Sequence, residues 1–347
     1  MIRRLRLSMT FTVALVASCA LPTVGAGAAV STRITGTVAS TITSSMPLVR
    51  LSFASSIKVA DLPPLTTQPQ LATTWQQVGP KEVQAVTTGL IQPATTYVID
   101  LPTLLRCRSQ CSFGAERRHS LVTPSGSKWE QQLLGELDYL PATFTSLSPH
   151  SDPATISSGF YTWAYPRLPA SILDLWGVGN NNVIVRGALM AFQNDHQLPT
   201  TGVLDETTWH DLVKAARNDV KNPNTYNYVT VSESSPETVR LYVAGRPTFH
   251  TLANTGISVA PTPLGTFPVY LRYLTQTMSG TNPDGSHYAD PGIPWISYFD
   301  GGSALHGFIR ASYGWPQSLG CVEMPFASAH VIWPHTPIGT LVTVETT

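Results

Sequence analysis

Cys321 and His306 are the side chains on which chemistry is most readily written, and both lie in the stretch LHGFIRASYGWPQSLGCVEMP, residues 305–325. His306 lies fifteen positions upstream of Cys321. A thiol attacks a carbonyl only as thiolate, and a free cysteine with a pKa near ~8.5 is mostly protonated at neutral pH. An imidazole can take that proton and later return it to a leaving amine. Gly320 permits a tight turn, from which the backbone N–H groups of Gly320 and Cys321 can be offered to a developing oxyanion. Ser318 can hydrogen-bond within the same turn. Any one of the nine histidines is more often structural than catalytic. His306 stands apart because it precedes a glycine and lies upstream of an unpaired cysteine; His287, His330 and His335 are weaker candidates. The pair works only if adjacent strands bring His306 to Cys321.

The remaining cysteines and the N-terminus say where such a thiol would work. Arg3, Arg4 and Arg6 precede an apolar run over about residues 7–21, then small residues at 24–29, which is the order of a secretory signal. The run falls short of the ~20 apolar residues that span a bilayer, so residues 1–29 are read as a signal peptide. Val16-Ala17-Ser18-Cys19 resembles the lipobox of bacterial lipoproteins, at which Cys19 would be acylated; the plainer alternative is an apolar residue in the signal core. Either outcome places the protein outside the plasma membrane. The oxidising exterior then sees Cys107, Cys111 and Cys321, an odd number that leaves one thiol over. Cys107 and Cys111 can staple one loop, and no second cysteine pair completes a four-ligand metal site. A Cys107–Cys111 disulfide is expected, with no metal or other cofactor, and Cys321 remains the free thiol.

A chain of 347 residues exceeds the ~100–200 residues of one domain. Only 12% of residues are charged, against roughly 25% in an average soluble protein, and the formal net charge is zero. Nothing argues for a nucleic-acid partner or an anionic membrane surface. Residues 30–46 read as a linker running into a first strand. Short β-type runs at 48–53, 73–76, 82–86 and 97–101, broken by Pro and Gly, suggest a small sandwich over 47–125. Within it, residues 91–97 resemble the tyrosine corner of immunoglobulin-like sandwiches, with Tyr97 as the ring. Residues 127–218 turn helical: Val185, Ala188, Leu189 and Phe192 recur at helical spacing, and Asp205 can cap a last helix carrying Trp209, Leu212, Val213 and Ala216. After a polar linker at 222–227, residues 226–347 read as almost all β, with strands at 228–231, 239–243, 248–253, 267–271, 295–299, 305–309 and 341–344. A loop without regular period is expected over 275–294, of the kind that is usually a lid.

Two resemblances sharpen this reading. Gln132-Leu133-Leu134 with Leu137 and Tyr139, then Ala191-Phe192-Gln193, Leu198, Gly202, Leu204-Asp205 and Thr208-Trp209 resemble the bacterial peptidoglycan-binding domain of type 1, with an insertion over 141–182. His306-Gly307, followed by Ser318-Leu319-Gly320-Cys321-Val322, is similar to the signature of the L,D-transpeptidases, the YkuD-like family of cell-wall cross-linking enzymes. Val231, Leu241, Asn254-Thr255-Gly256, Thr262-Pro263-Leu264-Gly265-Thr266-Phe267 and Phe299-Asp300-Gly301-Gly302 extend the likeness. Two departures stand out. Leu319 occupies the usual place of a second histidine, and Glu323 replaces the usual Arg or Asn two residues after the nucleophile.

The resemblance implies that Cys321 attacks a peptide carbonyl in a wall tetrapeptide, releases D-Ala and is left as a thioester. The side-chain amine of a second stem peptide would then resolve it into a cross-link; water in its place would make a carboxypeptidase. It also implies that Gly307 orients His306 through its backbone carbonyl. Tyr288 and Trp315 are expected as walls of the donor groove, and Ser318, Arg310 and Glu323 as further substrate-side residues. A carboxylate at 323 would raise the thiol pKa unless compensated, so a Glu323–Arg310 contact is expected. The fold class is multi-domain, with a mainly-β catalytic domain at the C-terminus preceded by a helical module and an immunoglobulin-like sandwich. The partners are peptidoglycan stem peptides at the cell wall, acted on by a monomer. Sortases and NlpC-type peptidases differ in the His–Cys gap or order, and a non-catalytic wall-binding protein is the remaining alternative.

Overall fold

In a computed structural model, the described residues are 34–38, 47–53, 55–89, 91–92, 95–101, 104–106, 110–112, 118–122, 126–147, 152, 156–165 and 167–346. The signal segment, Cys19, Cys107 and the side chain of Cys111 lie outside them, and with them the expected disulfide. The chain divides into two compact units, Met1–Trp129 and Glu130–Thr347.

The first unit is built of short strands: β1 (Ile34–Val38), β2 (Val49–Phe53), β3 (Thr66–Gln68), β4 (Thr73–Gly79), β5 (Glu82–Thr87), β6 (Thr96–Asp100), β7 (Leu104–Arg106), β8 (Gln110–Ser112) and β9 (Arg118–Val122). They form antiparallel sheets in the orders β1-β2-β5-β4 and β3-β6-β9, with β7-β8 a separate pair. Alternation in β2 buries Val49, Leu51 and Phe53, as one buried sheet face requires. Tyr97 is buried, and its hydroxyl accepts the Gln92 N–H at 3.0 Å, the contact that the 91–97 motif anticipates. The linker expected over 30–46 is corrected at 34–38, where β1 pairs with β2 along its whole length. Ile34, Thr35, Thr37 and Val38 are β-branched and suit an edge strand without forming an apolar run.

Helices follow in the chain. α1 (Gly126–Glu136) leads to a hairpin of β10 (Ala142–Ser146) and β11 (Gly159–Trp163), then short α2 (Ala170–Leu173), α3 (Val183–Asp195) and α4 (Glu206–Arg217). The Asn182 side chain accepts from Val185 N–H at 3.1 Å and Asp205 from Thr208 N–H at 2.8 Å, so both long helices start at side-chain caps. α4 buries Trp209, Leu212, Val213 and Ala216. Within residues 141–182, read from the sequence as an insertion, the described residues include the β10–β11 hairpin and α2. Buried Gln193 donates to Val203 O at 3.0 Å and Thr208 Oγ1 at 3.1 Å and accepts from Gly202 N–H at 2.8 Å. Gln132, also buried, accepts from Ser157 N–H at 2.9 Å. Both motif glutamines thus hold internal turns.

The rest of the second unit is two sheets and a helix: β12 (Asn227–Ser232), β13 (Thr238–Val243), β14 (Arg246–Leu252), β15 (Gly265–Pro268), β16 (Leu271–Thr281), β17 (His287–Asp300), β18 (Ser303–Gly307), β19 (Val322–Met324), α5 (Phe326–Ile332) and β20 (Leu341–Glu345). The orders are β14-β13-β12-β20-β15 and β16-β17-β18-β19. One apolar core joins them: Val229, Val231, Val239, Leu241 and Val342 from the first sheet meet Phe299, Leu305, Val322 and Met324 from the second, with Ala329 and Ile332 of α5.

The loop expected over 275–294 is corrected: it is the antiparallel arm β16–β17, closed by a turn in which Asn282 N–H donates to Ser286 O at 2.7 Å and Gly285 adopts φ +86°. Most of β16 is exposed or half-buried on both faces, so no apolar alternation reveals it. β19 and α5, three and seven residues long, are too short to show a period.

Candidate active site

Strand pairing assembles the site. β18 and β19 run parallel in the register Leu305↔Val322, His306↔Glu323 and Gly307↔Met324. Side chains two apart on a strand share a face, so Cys321, just before β19, comes to the side of the sheet that carries His306 and Glu323. Cys321, His306, Tyr288, Arg310 and Glu323 all line one cavity of about 820 Å³.

His306 is only 3% exposed. Its Nδ1 lies 3.0 Å from the Gly307 carbonyl oxygen, which can only accept, so Nδ1 carries the proton and Nε2 is left with a lone pair. Burial lowers the imidazole pKa; the Gly307 bond and the Glu323 charge oppose it, Arg310 adds to it and Asp290 opposes it. The ring is therefore neutral at neutral pH. Cys321 is half-buried and free, and its Sγ donates to Gly302 O at 3.7 Å. Burial pushes its thiol up to about 11, with Glu323 adding to the rise and a hydrogen bond from the Ala304 backbone opposing it. At rest the pair is thiol and neutral imidazole.

The expected Arg310–Glu323 contact is present and bidentate, Nε to Oε2 at 2.7 Å and Nη2 to Oε1 at 2.8 Å. Arg310 also donates to Gln317 O at 3.3 Å, and its guanidinium lies 4.6 Å over the Phe308 ring. The turn before the cysteine is held by Ser318, whose hydroxyl donates to Cys321 O at 2.6 Å and accepts from Gly320 N–H at 3.2 Å. Residues 254–257 clamp its outer side: Asn254 and Glu323 exchange backbone bonds at 2.9 Å, and Ile257 N–H donates to Ser318 O at 2.9 Å.

Three sequence expectations are corrected here. Gly320 supplies the turn through φ +105°, but its N–H is taken by Ser318 and is not aimed at an oxyanion. Ser318 is buried and bonded within the turn, as its place there anticipates, and does not line the cavity. Trp315 is 45% exposed and does not line the cavity. Tyr288 does line it; burial, then the Cys321 and Asp290 charges, hold its hydroxyl pKa up, so it stays a donor. Leu319 adds an apolar wall. The sequence reading gave no place in the cavity to Phe308, Asp290 or Tyr298; the Tyr298 hydroxyl donates to Gln276 Oε1 at 3.1 Å. Phe308 could have been found, since alternation from His306 passes through it.

Residues 226–344 match the family model of the YkuD L,D-transpeptidase catalytic domain, which supports a transpeptidase role for this C-terminal region. Among solved structures, the catalytic domain of an L,D-transpeptidase from E. faecium is similar at 25% identity, covering 35% of this chain and 99% of that one, with TM-score 0.32. An L,D-transpeptidase from Mycobacterium smegmatis is similar at 11% identity, covering 90% and 97%, with TM-score 0.31. L,D-transpeptidase 3 from Mycobacterium tuberculosis, in complex with a faropenem-derived adduct, is similar at 12% identity, covering 86% and 90%, with TM-score 0.30. No curated protein matches the chain.

Proposed function

We propose that the protein is an exported L,D-transpeptidase that cross-links peptidoglycan stem peptides through a thioester on Cys321. The observation that carries this is the half-buried thiol sharing a cavity and a sheet face with a neutral imidazole whose Nδ1–H is fixed on the Gly307 carbonyl. Cys321 Sγ attacks the carbonyl of the third residue of a wall tetrapeptide as its proton passes to His306 Nε2. The carbon–nitrogen bond breaks, the same proton moves to the departing D-Ala amine, and an acyl-thioester remains. The side-chain amine of a second stem then attacks the thioester carbon, Sγ leaves, and an amide cross-link forms. Water as acceptor gives the carboxypeptidase reaction at the same site.

The surrounding assignments follow as parts of this reading. The helical stretch 127–218 would hold the chain to the wall, and the β-sheet unit before it, read as an immunoglobulin-like sandwich, would space it from the membrane. The enzyme would act outside the plasma membrane as a monomer, lipidated at Cys19 or freed by signal cleavage. A purely wall-binding role is the weaker reading, because Gln132 and Gln193 of the binding motif are spent on internal turns.

Intact-mass measurement after incubation with a wall tetrapeptide tests the enzyme reading. An acyl adduct on Cys321 with released D-Ala is expected, absent in Cys321→Ala and at least a hundredfold slower in His306→Ala, in line with the ~10²–10⁴ of general-base catalysis. A carbapenem is a simpler acylating probe. Neither adduct nor D-Ala in the unaltered protein would end the transferase reading.

A further inference from the structure

One charge around the reaction cavity is left over. Arg310 is bound bidentately to Glu323, and burial keeps His306 neutral. Asp290, on β17, lines the same cavity, and its carboxylate has no hydrogen bond or ion pair among the described residues. It stands two residues from Tyr288 on the same strand, and both side chains face the cavity. The lining holds two carboxylates, Asp290 and Glu323, against one guanidinium, Arg310, with His306 neutral, so the space carries one uncompensated negative charge.

We infer that Asp290 receives the ammonium group of the incoming acceptor and holds it beside the thioester on Cys321, so that a cationic amine is preferred over water. This rests on the transferase reading above. A half-buried carboxylate attracts a cation more strongly than one in bulk water, whereas neutral water can gain a hydrogen bond from it but no charge–charge attraction. The field of Asp290 is felt where the acceptor would sit: its charge acts on Tyr288, His306 and Arg310, in each case raising the pKa. The held ammonium gives one proton to solvent, and the neutral amine then attacks the thioester carbon. As the carbon–sulfur bond breaks, the second proton of that nitrogen passes through His306 Nε2 to Sγ, which restores the thiol.

The test uses the full-length protein, a wall tetrapeptide donor and a diamino-acid tripeptide acceptor. It reads the ratio of cross-linked to hydrolysed product, which is set after the thioester has formed. Asp290→Asn is expected to lower this ratio about tenfold, and Asp290→Glu to keep most of it. Raising the salt from low to high should lower the ratio in the unaltered protein, because salt screens the attraction, and leave Asp290→Asn flat. The salt response needs no variant and stands even if Asp290→Asn folds poorly. A ratio that stays constant with salt and with Asp290→Asn, while Cys321 still acylates, overturns the inference alone. Failure of the unaltered protein to acylate at all overturns the transferase reading, and the inference with it.

Discussion

At the scale of the residue, Glu323 determines how the thiol is set. It is 5% exposed and shares a face with Cys321 and His306, and a bare carboxylate there would hold the thiol protonated and the imidazole charged. Arg310, paired to Glu323, opposes that field at His306. Arg310→Ala should therefore slow carbapenem acylation of Cys321 about tenfold. It should also cost about 1–3 kcal/mol in urea unfolding, between the worth of exposed and of buried pairs. The double change Arg310→Gln with Glu323→Gln should regain most of the stability; if the double variant is as unstable as the single, the pairing is not what matters. The pH dependence follows from the same groups. Because burial lowers the His306 pKa, acylation should rise with pH through a value below the ordinary ~6.5 and be flat across neutrality. In His306→Ala the rate should instead climb with pH towards about 11, where the Cys321 thiol ionises; a flat profile for that variant would show that another base serves the thiol. Cys321, His306, Arg310 and Glu323 were legible in the sequence because one short stretch carries all four and neighbouring parallel strands align them. Asp290 and Tyr298 were not, since they reach the cavity from β17, a strand distant in sequence.

At the scale of the element, the fold was readable wherever a strand has one buried face. β12, β13 and β20 bury Val229, Val231, Val239, Leu241, Val342 and Val344, and their apolar character marks them in the sequence. The outer part of the β16–β17 arm, β16 with residues 287–292 of β17, has no such face and is held by its ladder, so pattern reading takes it for a loop. Gly307 shows how closely the elements fit. A Cβ built there lies 2.9 Å from Phe326 Cδ1 of α5, 3.2 Å from Pro294 Cγ of β17 and 3.3 Å from Ala329 Cβ. Gly307→Ala must push α5 or its own carbonyl aside, and that carbonyl fixes the His306 ring. The expected outcome is a loss of about 1–3 kcal/mol, the usual range for overpacking, and acylation slowed more than tenfold even where the variant is fully folded. Unchanged acylation in folded Gly307→Ala would show that the carbonyl is not needed to orient the base.

At the scale of the molecule, the helices and the β-rich region of Glu130–Thr347 belong to one compact unit, and the packing of α3 predicts that they unfold together. Gly187 on α3 faces the loop that enters β20, and a Cβ built on it lies 2.7 Å from Gly339 O and 2.8 Å from Leu341 Cδ2. Gly339 turns at φ +89° against the backbone of Gly187 and Ala191. β20 is paired on both sides, parallel to β12 and antiparallel to β15, so a shift at Leu341 is transmitted into the main sheet. A second tie runs through Tyr228, whose hydroxyl meets Ser171 Oγ at 2.9 Å and Thr343 Oγ1 at 2.7 Å, linking the insertion to both strands. Gly187→Val should thus disturb helix and sheet together. Overpacking of about 1–3 kcal/mol, at ~2–4 °C per kcal/mol for a unit of this size, lowers the melting temperature by about 2–12 °C. Hydrogen exchange on the full chain separates this from a local effect. Amides of α3, β12 and β20 should lose protection by the same factor in Gly187→Val, whereas loss confined to α3 would mean that the helices open on their own and only lean against the catalytic sheet.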